Sequence, residues 1–269
     1  MAARTNDIWG LEVQTQALRA LVLLNGYPVF MPTDTGPRTT ACKLNPQIIE
    51  GENLLQVRLG READGAVLTP RADFELSVYH APAGSPPGSK IGVARYEWEA
   101  GRDEIQPDGM TDLFEHCFDV EPDQAYGRWQ WQDAVVFEEG QRVAIETLVG
   151  KCRAALADRK VDDLLALMSL YAVEMSTALG VPVEEAEQEL RDYLQPYFDD
   201  ERWEMAPLDY GALPLMPVCG GRIVLVMAPG GGPVLRGQIR VEEDEEPPLP
   251  PLGMEVSVSN LGGTWTVVR

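Results

Sequence analysis

Two short segments decide the fold of the first half of this chain: LLNGYPVF at residues 23–30 and IIEGENLLQVRL at residues 48–59. Asn25-Gly26 separates two apolar runs, and this arrangement is the strongest short-range signal of a β-hairpin, because both central residues of a type I′ turn need a positive φ. Gly51 is a second turn residue, placed ahead of a strand. In that strand apolar residues alternate with polar ones: Leu55, Gln56, Val57, Arg58 and Leu59.

The same alternation continues to about residue 120. Phe74–His80, Val93–Trp98 and Phe114–Val120 each place apolar side chains on one face, and a proline- and glycine-rich connection follows the first of them at 81–89. Several short strands separated by turn residues are typical of an antiparallel β-sandwich. We therefore predict an all-β sandwich domain over residues 1–130.

The two opening segments resemble a known module. Leu24–Val29, followed by Glu50–Val57, is similar to the "asparagine-glycine, then glycine-x-asparagine-x-leucine-x-valine" run of the jelly-roll module found beside the catalytic domains of glycoside hydrolase family 2. The matching residues are turn and core positions. The resemblance implies a jelly-roll-like fold for this half and transfers no sugar-binding residue.

From about Asp133 the apolar period changes from two residues to 3.6. Apolar stripes with this spacing predict three helices, at 145–156, 164–179 and 183–197, with Gly180 and Pro182 separating the last two. Strand-like runs follow at 222–227, 234–241, 254–259 and 264–268. Helices followed by an antiparallel sheet predict an α+β domain over residues 131–269.

This order resembles the nuclear transport factor 2-like superfamily, a cystatin-like α+β fold in which helices close one side of a curved sheet. The residues that carry the resemblance are Ala154–Leu167 and Gly263–Arg269. The resemblance implies a cone-shaped domain with an apolar pocket between helices and sheet. Some members are isomerases or dehydratases, and many only bind or dimerise, so a homodimer is an expected arrangement.

Composition narrows the classes of function. The chain has 269 residues, 43 acidic against 22 basic side chains, and a formal net charge of −21. Such a charge argues against nucleic-acid binding, which depends on attraction to phosphates, and suits either simple solubility or a basic protein partner. The four cysteines are scattered without a Cys-x-x-Cys pair, so we expect reduced thiols, no metal site and no cofactor. No stretch predicts a membrane segment or an export signal, and cytoplasmic residence is the expectation.

The only two histidines are His80 and His116, both in the first half. For His80 a backbone partner at a strand end is favoured over a catalytic role. His116 and Cys117 are neighbours on a strand, so they should point to opposite faces and not form a nucleophile–base pair. The segment 229–233 is interpreted as a hairpin turn and not a phosphate loop. The acidic and proline-rich run at 242–251 is interpreted as a solvated connection, with a docking strip for a basic partner as the alternative.

Chemistry, if present, is expected in the pocket of the second half. Its candidate residues are Tyr171, Glu174, Tyr193, Tyr197, Trp203, Asp209 and Arg222. A tyrosine beside a carboxylate of raised pKa can abstract a proton, as in isomerase chemistry, whereas the plainer alternative is core tyrosines bonded to the backbone. Three hypotheses follow: a non-catalytic binding or interaction protein, which leads; an enzyme acting on a small apolar molecule; and an acidic inhibitor or immunity-type protein for a basic partner.

Overall fold

The computed structural model describes residues 7–32, 34–61, 69–82, 84–86, 88–103, 107, 109–122, 127–241 and 248–268. In this part of the chain the protein is a mixed α+β structure, with four antiparallel sheets and four α-helices. Residue contacts divide the chain into two compact units, Met1–Arg128 and Trp129–Arg269, which are described separately.

The first unit consists of strands and turns. Its strands are β1 (Asp7–Gln16), β2 (Arg19–Leu24), β3 (Tyr27–Phe30), β4 (Arg38–Lys43), β5 (Gly51–Gly60), β6 (Asp73–Pro82), β7 (Ile91–Glu99) and β8 (Thr111–Val120). They form two four-stranded antiparallel sheets, ordered β4-β1-β6-β7 and β3-β2-β5-β8. Both sheets bury alternate side chains in one common core, for example Leu11, Leu55 and Phe74.

The predicted Asn-Gly turn is confirmed, with φ of 55° at Asn25 and 79° at Gly26 between β2 and β3. The Asn25 side-chain amide donates to the Gln47 carbonyl at 2.9 Å and to Asn53 Oδ1 at 2.8 Å. Its own Oδ1 accepts from the Leu54 N–H at 3.0 Å. The two asparagines of the opening segments therefore join the hairpin turn to the start of β5, which is a structural role.

The second unit combines helices with two further sheets. Its helices are α1 (Arg142–Ala157), α2 (Val161–Leu167), α3 (Ser169–Leu179) and α4 (Val183–Phe198). Its strands are β9 (Trp203–Met205), β10 (Leu215–Val218), β11 (Ile223–Val226), β12 (Leu235–Ile239), β13 (Leu252–Met254), β14 (Val256–Leu261) and β15 (Thr264–Val267). The sheets are ordered β10-β11-β14-β15 and β13-β12-β9, and one core contains side chains from helices and both sheets, such as Leu156, Leu194 and Val258.

Two sequence-based boundaries in this unit are wrong. The helix predicted over 164–179 is two helices, because Met168 leaves the helical region at φ −101° and ψ 14° and separates α2 from α3. The strand predicted over 254–259 is likewise two: Glu255 separates β13, which pairs with β12, from β14, which pairs with β11. The turn predicted at 229–233 is confirmed by a bridge between Met227 and Pro233. Of the connection predicted at 242–251, residues 242–247 lie outside the described part of the chain.

Candidate functional site

Two of the seven pocket candidates are core residues whose polar atoms bond to the backbone. The Trp203 indole N–H donates to the Leu156 carbonyl at 3.1 Å, and the Tyr197 hydroxyl donates to the Pro250 carbonyl at 3.1 Å. Their ring centroids lie 5.5 Å apart. Burial, with a smaller contribution from nearby Tyr193, raises the pKa of the Tyr197 hydroxyl, so this group stays protonated. Both side chains therefore fit the alternative to proton abstraction, in which the aromatic residues are structural and bond to the backbone.

Two further candidates have exposed side chains. Asp209 is exposed, and its carboxylate accepts from the Gly211 N–H at 3.2 Å, which caps the short 3-10 turn at Tyr210–Ala212. Arg222 also has an exposed side chain, and its carbonyl accepts from Ser259 Oγ at 2.8 Å. Within the described residues no hydrogen bond or ion pair joins either side chain to the tyrosines. The structure does not assemble all seven candidates into one site.

The two candidates on α3 face the interior to different degrees. Glu174 is 4% exposed, and its Oε1 accepts from the Gln130 N–H at 3.0 Å. This bond ties the 3-10 turn Gln130–Asp133 to α3. Tyr171, one helical turn before Glu174, is half-buried and packs against the core of the unit. Three depressions are found in the described surface. Two of them lie on the sheet formed by β1, β4, β6 and β7, and the third lies between α1 and α2. None of these three is lined by a pocket candidate.

The remaining candidate, Tyr193, lies on the outer face of α4. Its side chain is 51% exposed, with its ring centroid 6.1 Å from that of buried Tyr197. Side chains at helical spacing on the same face are Glu185, Glu189, Asp192, Tyr193 and Pro196, and all five are exposed. A large aromatic residue thus lies among carboxylates on a helix surface.

Helix α4 is held by its buried side, by an ion pair in its middle and by hydrogen bonds at its C-terminal end. Leu194 is completely buried, and Arg191 pairs with Asp162 of α2 at 2.5 Å. At the C-terminal end the Arg159 guanidinium donates to the carbonyls of Phe198 and Asp200, each at 2.9 Å. The acidic face is therefore presented by a helix that is anchored to α2 and to Arg159.

Many basic side chains are already engaged with neighbouring groups. Ion pairs with carboxylates occupy Arg38, Arg58, Lys90, Arg95, Arg102, Arg142, Lys160, Arg191, Arg202 and Arg240. Arg153 instead donates to the carbonyls of Met205 and Ala206. Because the chain holds 43 acidic and 22 basic side chains, the acidic groups remain in excess after this pairing. The exposed carboxylates of α4 belong to that excess.

His80 has a partner that the sequence did not predict. Its Nδ1 lies 2.6 Å from Asp7 Oδ2, and its ring stacks on Trp9 with centroids 4.8 Å apart. We expected a backbone partner; instead the pairing of β1 with β6 brings together residues separated by 73 positions. A carboxylate on one imidazole nitrogen fixes the ring and its tautomer. Sequence offers no local signal for this contact.

His116 and Cys117 face opposite sides of β8, as predicted. Cys117 is exposed, whereas His116 is half-buried in a row with Phe114 and Phe118, at ring distances of 6.1 and 6.3 Å. Among the described residues no group of three or more His, Cys, Asp or Glu side chains is arranged to hold a metal ion. None of the helices in these residues combines the length and the apolar composition of a membrane-spanning segment.

The thiols should differ sharply in reactivity. Burial raises the pKa of Cys152 to about 11, whereas Cys117 is exposed on β8. At pH 8 about one Cys152 thiol in a thousand is then a thiolate, and that thiolate is shielded from reagents. We expect an aromatic disulfide reagent to label Cys117 within minutes in the folded protein and Cys152 only as the chain unfolds. Peptide mapping of the labelled thiols checks this order, and early labelling of Cys152 would contradict the buried position.

Comparison with known proteins adds no identification: no protein-family model matches the chain, and searches of curated proteins and of solved structures found no significant match.

Proposed function

We propose that this chain is a non-catalytic binding protein that recognises a basic polypeptide. One observation carries the proposal: Tyr193 lies half-exposed among the carboxylates of α4, a helix whose middle pairs with α2 and whose C-terminal end accepts hydrogen bonds from Arg159. Tyrosine is enriched at the centres of protein interfaces because its ring gives a large contact area at a low entropic cost. The partner would bring lysine or arginine side chains to this face.

Charge and aromatic character act together at this surface. Between residues 183 and 198 there are five acidic side chains and one arginine, which gives α4 a net charge of −4. Such a field steers a basic partner toward the helix and raises the association rate. Once a cation is placed over the Tyr193 ring, the cation–π interaction contributes about 0.5–1 kcal/mol. Two copies of the same face repel each other, so a homodimer would need a different surface.

The fold-level resemblances belong to the same proposal. We infer that the two units are separately folded domains, a jelly-roll-like β-sandwich and a nuclear transport factor 2-like cone, with the border near residue 130. The common core of the two sheets in the first unit supports the first assignment, and the helices that share a core with antiparallel sheets support the second. Free thiols at Cys42, Cys117, Cys152 and Cys219 support a reducing, cytoplasmic location. The enzyme alternative stays a prediction and retains Tyr171 and Glu174 as its polar residues.

The direct test measures the affinity for a fluorescent twelve-residue oligolysine. We expect Tyr193→Ala to weaken binding about 5-fold and Tyr193→Phe to leave it nearly unchanged, because phenylalanine keeps the aromatic face. The double variant Glu185→Lys, Glu189→Lys should weaken binding by at least about 30-fold at 50 mM salt. Fluorescence anisotropy at 50 and 300 mM salt measures each effect.

A matched double variant separates the α4 surface from net charge. Glu201→Lys with Glu255→Lys changes the total charge by the same amount at exposed positions outside α4. We expect this control to retain affinity within about 3-fold of the parent at 50 mM salt. Equal losses in the two double variants would mean that oligolysine responds to the overall charge alone, and the α4 site would be rejected.

A further inference from the structure

Strand β8 is the last strand of its sheet, and its free edge is the segment from Phe114 to Val120. It contains ten residues, and from Phe114 to Val120 it pairs with β5 in an uninterrupted antiparallel register. Within the described residues no strand pairs with its other side. An edge of this kind presents unpaired N–H and C=O groups that can accept a further strand.

The other terminal strands of the first unit carry features that discourage strand addition. β3 has four residues and includes Pro28, and β4 begins with Arg38 and ends with Lys43. β7 carries Arg95 and is paired across a register shift at Val78 and Tyr79. Short length, proline, charged side chains, especially lysine, and bulges are the usual protections of sheet edges. The segment 114–120 of β8 has no proline, lysine, arginine or register shift, and its charged side chains are the acidic Glu115 and Asp119.

The two faces of β8 specify what an added strand would carry. On the outward face the exposed charged side chains are Asp112, Glu115 and Asp119, all acidic. On the inward face Phe114 and His116 are half-buried aromatic rings, and Phe114 stacks on Tyr96 of β7 with ring centroids 4.6 Å apart. Side chains of a neighbouring strand alternate between the same two faces. An added strand would therefore match β8 best with basic residues outward and apolar residues inward.

A second copy of this chain is a poor occupant of the edge. In an antiparallel β8–β8 pair the outward side chains of both strands would lie on the same face of the sheet. Glu115 and Asp119 of one copy would then lie opposite or diagonal to Glu115 and Asp119 of the other copy. Like charges opposite each other across strands are destabilising, and Asp119 already lies opposite Glu52 of β5. The charge of the edge thus favours a partner of opposite sign.

We propose that the free edge of β8 binds an extended polypeptide segment in which basic and apolar residues alternate, adding it as a fifth strand to the β3-β2-β5-β8 sheet. The backbone supplies hydrogen bonds, Glu115 and Asp119 bind the basic side chains, and Phe114 with His116 contacts the apolar ones. The site involves residues and a unit different from those of the α4 surface, so it stands independently of that proposal.

The test uses a capped, fluorescent eight-residue peptide of four Lys-Val repeats. We expect saturable binding, at least about 10-fold tighter than that of a peptide with the same composition and blocked order, four lysines followed by four valines. Two N-methylated versions of the peptide distinguish strand addition from charge attraction. Each version carries methyl groups on alternate backbone nitrogens, so that in an extended strand they all lie along one edge in the first version and along the opposite edge in the second. One isomer should lose at least about 10-fold in affinity, because its methyl groups face β8 and remove the hydrogen-bond donors.

The last part of the test reverses the charge of the two acidic side chains on the outward face of β8. Glu115→Lys with Asp119→Lys should weaken binding of the Lys-Val peptide by at least about 10-fold and create binding of a Glu-Val peptide of the same length. The double variant Glu185→Lys, Glu189→Lys, which alters only α4, should keep the Lys-Val affinity within about 3-fold of the parent. Circular dichroism confirms that each variant is folded before it is compared.

Three results would overturn the proposal: equal affinity of the blocked-order peptide, equal affinity of both N-methylated isomers and the unmethylated peptide, or unchanged specificity after the charge exchange. Hydrogen exchange gives an independent readout, because amides of residues 114–120 that point away from β5 should become protected when the peptide binds. Protection confined to α4 would also overturn it.

Discussion

Gly237→Val is expected to unfold the second unit under conditions in which the parent chain is fully folded, with a loss of about 4 kcal/mol in the free energy of unfolding. A Cβ at Gly237 would lie 2.1 Å from the Trp203 ring, well inside van der Waals contact. β12 pairs with β9 so that the indole crosses over this glycine. The added methyl groups of valine would occupy the space of the ring.

The tryptophan cannot move away without further cost. Its N–H donates to the Leu156 carbonyl at 3.1 Å, and its ring contacts Tyr197 and Phe198 at centroid distances of 5.5 and 6.0 Å. Displacing it breaks a buried hydrogen bond and opens the core. Chemical denaturation followed by Trp fluorescence measures the loss. Gly92→Val is the control, because a Cβ at that strand glycine meets no atom within 4 Å, and it should change stability by less than about 0.5 kcal/mol. Equal stability of both variants would contradict the close contact.

Asn53→Ala is expected to destabilise the first unit by about 3 kcal/mol. Asn53 is completely buried, and its amide donates to the carbonyls of Ile49 at 2.8 Å and Gly51 at 2.9 Å. Its Oδ1 accepts from the Ile49 N–H at 3.0 Å and from Asn25 at 2.8 Å. Alanine removes four hydrogen bonds at once and leaves several buried partners without a substitute, which costs more than the loss of a single exposed bond.

Two further variants define the origin of this effect. Asn53→Asp keeps the acceptor but turns a carboxylate oxygen toward two carbonyls, so we expect a loss at least as large near pH 7 and a smaller loss below about pH 4, where the buried acid is protonated. Gln56→Ala, on the same strand, removes only an exposed bond to Glu115 and should cost less than about 1 kcal/mol. Thermal unfolding by circular dichroism compares the three, and a stable Asn53→Ala variant would show that the network is dispensable.

Local pattern predicted much of this fold. The Asn-Gly hairpin, the alternation in β5 and β6 and the helical stripes of α1 and α4 follow from turn chemistry and periodicity, which act over a few residues. The break at Met168 was missed because its apolar side chain continues the stripe while its backbone leaves the helix. Contacts between distant segments were also missed. The spacing of residues in the sequence does not predict that Asp7 lies beside His80 or that Gly237 lies beside Trp203, because both contacts depend on strand register.

The candidate site, too, was only partly predictable from the sequence pattern. Sequence selected Tyr193 and Tyr197 because both lie near one apolar stripe, yet side chains four residues apart are offset by about 40° around the helix axis. That rotation is enough to expose Tyr193 by 51% while Tyr197 remains buried at 4%. Charge composition left simple solubility and a basic partner as alternatives, and only the helix geometry brings the carboxylates and the exposed ring to one surface. The sequence likewise does not predict the free edge of β8, because the order of strands in a sheet depends on pairing between distant segments and not on the residues of one strand.

Backbone amide chemical-shift mapping with twelve-residue oligolysine tests the central claim most directly, because it locates the bound peptide on the chain. We expect the largest shifts between residues 183 and 198, centred on Glu189 and Tyr193, with a loss of these shifts in Glu185→Lys, Glu189→Lys. Shifts spread evenly over exposed carboxylates of both units, or absent from α4, would contradict the proposal that this helix is the binding surface.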